Sequence, residues 1–114
     1  MGNTRIVNTP SQAIPQRDTL HTTHSITNAA VVDFADIFPS GVNSLTTHVL
    51  VQFYGGVVNA TFDGATDPTA TATGTGFRYL DNTSAYLRID MLQKARFIAQ
   101  TDTVTIAVQE LNYK

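Results

Sequence analysis

Three histidines, His21, His24 and His48, are the side chains in this sequence that could exchange protons near neutral pH. His21 and His24 stand three apart. That spacing brings two imidazoles to one metal only on a helix, and the residues around them do not read as one. A Ser-His-Asp set needs a base held by packing, and the first two histidines sit where apolar residues are sparse. His48 lies in a strand-like run and could face a carboxylate. None of the three is assigned to catalysis or to a metal.

The carboxylates are equally thin as a chemical set. Asp33 and Asp36 precede a turn. Asp63 and Asp67 open a long loop and could touch Ca²⁺, but the glutamate and further ligands of an EF-type loop are missing. Asp63 beside Gly64 reads first as a turn residue. Paired acids for glycoside hydrolysis need a cleft that the sequence does not outline. Gly74 and Gly76 resemble part of a phosphate loop, yet no Lys-Ser/Thr follows and the next element is a strand. Arg78, Arg88, Lys94 and Arg96, near Phe77, Tyr79 and Tyr86, read as outward strand residues paired with Asp81 and Asp90. Asn59-Ala60-Thr61 and Asn82-Thr83-Ser84 fit the glycosylation triplet, as chance allows in a threonine-rich chain. The expectation is a chain without enzymatic activity, cofactor or metal.

Bulk properties narrow the remaining classes. The chain has 114 residues, a net charge of −2, 14% charged residues and no cysteine. That length suits one domain. Disulfides and thiolate metal sites are excluded. A charged fraction so far below the usual ~25%, with no basic face, argues against nucleic-acid binding. The apolar runs fall far short of the ~20 residues that span a bilayer, and the first residues lack the apolar core of a signal peptide. There are 18 threonines and one glutamate. Threonine is stiff at its first torsion and suits a pleated surface. A polar but weakly charged surface also suits permanent contact with neighbours.

The elements that must position these residues are short strands. Residues 1–24 carry Pro10 and Pro15 with apolar residues in no period, and read as an extended N-terminal arm that orders against another subunit. Residues 25–114 read as an all-β domain, an antiparallel sandwich or barrel of about seven short strands. Ser25 to Phe34 alternates and reads as a first strand, with a break at Asn28. Asp36 to Gly41 reads as a turn. Leu45 to Tyr54 is the strongest strand, with Val49, Val51 and Phe53 on one face. Gly55-Gly56 then reads as a tight hairpin into Val57 to Phe62. Residues 63–76 hold no large apolar side chain and read as a surface loop. Phe77 to Leu80, Ala85 to Met91, Lys94 to Gln100 and Thr103 to Leu111 complete the set. In the second of these Leu87, Ile89 and Met91 are expected inward, and one helical turn could lie within residues 90–96.

The stretch Val57-Val58-Asn59-Ala60-Thr61-Phe62-Asp63-Gly64-Ala65-Thr66-Asp67-Pro68-Thr69-Ala70-Thr71 is a strand, an Asp-Gly turn and a Pro-Thr-Ala-Thr segment. Ala95-Arg96-Phe97-Ile98 and the alternating Val104 to Gln109 follow. Together, over roughly residues 45–110, they resemble small virion structural proteins of tailed bacteriophages. The resemblance implies a cement or decoration protein on the capsid surface or neck. It would bind the major capsid protein or other virion proteins and act as a trimer or dimer. A head-tail connector or tail protein, and a carbohydrate- or receptor-binding module, are the alternatives. The expected contact residues are Arg5, Ile6, Val7, Ala13, Ile14 and Leu20 in the arm, and Tyr54, Tyr79 and Tyr86 in the domain.

Overall fold

The computed structural model describes residues 14–15 and 21–112. It shows a β-sandwich of two antiparallel sheets. The larger sheet runs β1/β2–β9–β4–β7, with β1 (Ile14–Pro15) and β2 (His21–Thr27) both paired to β9 (Thr103–Asn112). Next come β4 (His48–Tyr54) and β7 (Thr83–Arg88). The smaller sheet runs β3 (Val32–Asp33), β8 (Arg96–Ala99), β5 (Val58–Thr61), β6 (Phe77–Tyr79). Two short helices, α1 (Phe34–Ile37) and α2 (Ile89–Gln93), sit at strand ends. Among the described residues no helix is long and apolar enough to cross a membrane.

Alternation places the core as expected. Val49, Val51 and Phe53 on β4 lie beside Val104, Ile106 and Val108 of the neighbouring β9 on the inner face of the larger sheet, and Phe97 and Ala99 close it from β8. Phe53 is the hinge of the packing. Its ring stacks on Tyr79 of β6 at 4.7 Å and tilts against Phe97 of β8 at 5.7 Å. One side chain thus ties both sheets together.

Four readings of local structure change. The first concerns the arm boundary: His21 to His24 belong to β2, paired residue by residue with β9 from His21↔Gln109 to Thr27↔Thr103. Threonines in that stretch fill a pleated edge, so the ordered domain begins before residue 25. Second, the run from Ser25 to Phe34 breaks at Asn28 as expected, but beyond the break only the two-residue β3 is strand, and Phe34 belongs to α1. Asp33 and Asp36 cause that switch. The Asp33 carboxylate accepts from the Asp36 N–H and the Asp36 carboxylate accepts from the Asp33 N–H, both at 3.0 Å, a reciprocal cap that starts a helix just ahead of the expected turn, which the Gly41 N–H closes on the Phe38 carbonyl at 2.9 Å.

Third, Gly55-Gly56 does not close a hairpin. β4 already pairs with β9 over seven residues and with β7 over six, so neither edge is open to β5. The two glycines, at φ +101° and +153°, instead carry the chain across to the other sheet. The Gly55 N–H donates to the Asp81 carboxylate at 2.9 Å, and a Cβ on Gly55 would meet the Thr103 carbonyl at 3.3 Å. Fourth, β7 stops at Arg88 and α2 follows. The period changes from two to that of a helix, so Ile89 and Leu92 turn in and Met91 turns out, 39% exposed.

One inward position of β9 is acidic. After Val104, Ile106 and Val108 comes Glu110, which is buried. Its Oε1 accepts from the Asn43 N–H at 2.9 Å and from the Thr46 hydroxyl at 2.7 Å, pinning the loop before β4 onto the end of β9. Glu110→Ala strands both donors and is expected to cost about 2–3 kcal/mol. Glu110→Gln keeps an acceptor oxygen and should cost less. Urea unfolding of the three proteins checks the order.

Candidate interaction surface

The outer face of the larger sheet is a broad exposed platform, and its composition follows from strand register. Three rows cross it. His21, Gln109, Leu50 and Tyr86 form the first, Thr23, Ala107, Gln52 and Ser84 the second, and Ser25, Thr105 and Tyr54 the third. None of these residues is Asp, Glu, Lys or Arg. Tyr54 is 42% and Tyr86 45% exposed, and a shallow hollow lies over Ala107 between Leu50, Gln52, Gln109 and His21. A side with this makeup offers hydroxyls, amides and two aromatic faces.

The expected contact residues divide four ways. Tyr54 and Tyr86 lie on this platform. Tyr79 does not join them: it faces into the sandwich, stacked on Phe53, and burial pushes its phenol pKa up. Ile14 begins β1, its backbone paired with Asn112. Arg5, Ile6, Val7, Ala13 and Leu20 lie outside the described residues.

The histidines do not converge. His21 and His24 alternate along β2, so three residues put them on opposite faces. His48 pairs across to Arg88 and Leu111, and its Nδ1 lies 2.9 Å from the Thr47 hydroxyl. Among the described residues no three His, Cys, Asp or Glu side chains gather to hold a metal ion.

The loop of residues 63–76 looks open in sequence but is clasped to the smaller sheet. Arg96 fills the place a cation would take. Its Nη1 donates to the Ala65 carbonyl and the Asp67 carboxylate, each at 2.8 Å, and its Nη2 to the Gly64 carbonyl at 3.0 Å. The oxygens that a Ca²⁺ would need are thus already used. That ion pair, rather than one to Asp81 or Asp90, is the role of Arg96; Arg88 does pair with Asp90, at 3.3 Å on the exposed surface.

Further along the loop, Asn59 holds the Thr69 and Thr71 carbonyls through its Nδ2 at 2.7 and 2.8 Å, and accepts from the Gln100 amide at 3.0 Å. Asn59 is fully buried, so the folded chain does not present that glycosylation triplet. Gly76, at φ +130°, passes so close to β5 that a Cβ would meet the Ala60 N and O at 3.1 Å. The structural roles of Asn59 and Glu110 are what sequence reading passes over. The lone glutamate at an inward position of β9 was a readable signal; Asn59 sits within a strand and gave none.

Asp63 caps the start of this loop. The Thr66 hydroxyl, then the Thr66 and Ala65 N–H groups, donate to its carboxylate and lower its pKa from 3.8 to about 2. The folded value lies below the unfolded one. The loop is therefore supported above about pH 4, and that support is lost as pH falls through about 2. Protection of the Ala65 and Thr66 amides, measured against their intrinsic exchange rates, should fall over that window in the native chain and show no such step in Asp63→Asn.

A scan against protein-family models, a search of curated proteins and a search of solved structures each returned no match.

Proposed function

We propose that this chain is a structural, non-enzymatic protein of a tailed-phage virion, a cement protein that clamps neighbouring capsid subunits through its β-domain and N-terminal segment. The observation that carries this reading is the use made of the N-terminal segment. It already serves as strand, with β1 and β2 laid along β9 by main-chain pairing. Strand pairing of this kind gives affinity without charge, and many copies on a repeating shell multiply modest contacts. The weakly charged, threonine-rich platform beside it supports the same role.

The test uses capsids assembled without this protein. The full chain should co-sediment with them. Deleting residues 1–20 should weaken binding at least tenfold while the far-UV spectrum stays that of a β-protein. Undiminished binding would remove the N-terminal segment from the clamp.

The exposed Tyr54 and Tyr86, with Gln52 and Ser84 between them, favour a second reading as a carbohydrate-binding module, because aromatic faces ringed by amides and hydroxyls suit sugars. Glycan-array signals abolished by Tyr54→Ala and Tyr86→Ala would establish it.

A further inference from the structure

The β6–β7 margin of the sandwich is unfinished. Among the described residues β6 and β7 are the last strands of their two sheets, each paired on one side only. Three residues, 80–82, join them, so they share one margin. Phe77 lies on the inner face of β6. It pairs with Ala60 of the core, and its ring meets Tyr79 edge-on at 5.0 Å. In a complete sandwich the opposite sheet covers such a side chain. Phe77 is instead 62% exposed, and Leu80 beside it 57%. On its inner face β7 carries Thr83, Ala85 and Leu87, of which Leu87 is already buried in the core and the other two are small. The larger sheet is one strand short here, and apolar groups beside open strand edges favour strand addition.

We propose that residues 3–9 of a second copy, Asn-Thr-Arg-Ile-Val-Asn-Thr, add as a strand to the open edge of β7 and cover Phe77. This rests on the assembly reading above, since it names a partner for the N-terminal segment. Thr4, Ile6, Val7 and Thr9 are β-branched, no Pro or Gly interrupts residues 3–9, and Pro10 ends the run. Chain direction favours a neighbour over the same chain. β1 runs antiparallel to β9, so the N-terminal side of Ile14 faces past Asn112 at the sheet's end. Thirteen residues precede Ile14, enough to reach about 43 Å at ~3.3 Å each. β7 of the same chain lies at the opposite margin, about 14 Å across the sheet at ~4.8 Å per strand, and reaching it would require the chain to double back. The contact is heterologous, so repetition links copies head to tail, into a ring where the rotation closes and an open chain where it does not.

The chain lacks cysteine, so introduced pairs report without background. Full-length chains carrying Ile6→Cys or Val7→Cys, each with Ser84→Cys or Ala85→Cys, are oxidised at micromolar concentration. The four combinations sample both faces of β7. Inter-chain disulfides are expected in at least one combination, above the single-cysteine controls. Adding Phe77→Asp should cut that yield at least tenfold with an unchanged far-UV spectrum. Disulfides formed only within a chain, or none above controls, would overturn the proposal. Capsid co-sedimentation of the same proteins separates the two ideas. Trapping without capsid binding defeats the cement reading alone, and capsid binding without trapping defeats the strand exchange alone.

Discussion

Replacing Phe53 by alanine is expected to remove about 3–5 kcal/mol of stability. The ring is 1% exposed and touches both Tyr79 and Phe97. Its loss therefore removes two aromatic contacts between the sheets as well as its own buried area. The sheets cannot close on the void, because β4 is fixed by ladders to β9 and β7 on either side. At roughly 4–8 °C per kcal/mol for a domain of this size, the melting temperature should fall by about 12 °C or more. Phe77→Ala is the matching control: Phe77 is an aromatic side chain on the same side of the sandwich but 62% exposed, and its removal should cost the isolated domain less than about 1 kcal/mol. Thermal unfolding of both variants checks the difference. Equal losses would mean that Phe53 does not bridge the sheets.

The second large effect falls at Asn59. Asn59→Ala removes three hydrogen bonds from a fully buried position. At about 1 kcal/mol each, part of it recovered because Thr69 and Thr71 are exposed and water can reach their carbonyls, the cost should be about 2–3 kcal/mol. Asn59→Asp should be worse. It places a buried carboxylate against two carbonyl oxygens that need a donor, which combines lost bonds with an unpaired buried charge. Urea unfolding gives the ranking, native above Ala above Asp. Amide exchange within residues 69–75 should rise in both variants, since the clasp and not the loop's own residues holds it down. If Asp were as stable as Ala, the geometry at Asn59 would be wrong.

Much of the strand content was legible because alternation is a local signal. Val49, Val51 and Phe53, and Val104, Ile106 and Val108, are buried as their spacing demands. Register was not legible in the same way. The Gly55-Gly56 pair has the chemistry of a hairpin, but whether β5 pairs with β4 depends on who else claims β4. That contest was decided by β7 and β9, which lie about 30 and 50 residues later. Ile89 and Met91 fit a strand as well as a helix over so short a run, and the burial of Leu92 against the core settled the choice.

The candidate surface divides along the same line. Tyr54, Tyr79 and Tyr86 look alike in sequence. Only the pairing of Val58 with Tyr79 turns the second of them into the sandwich, while Tyr54 and Tyr86 stay out. Arg96 and Asp67 stand 29 residues apart, and their ion pair exists because the loop folds back across β5 and β8.

The sequence by itself determined a β-domain with a buried alternating core, a polar surface short of charge, and three histidines that do not act together. Each of these rests on residue type and on spacings of two or three, which backbone geometry reads without reference to the rest of the chain. Tertiary structure alone decided the rest. It joined His21 to β9, clasped the loop through Asn59 and Arg96, and left Phe77 uncovered at an open margin. Those are contacts between residues far apart in the chain, and their energies depend on which surfaces remain once the longer ladders have formed.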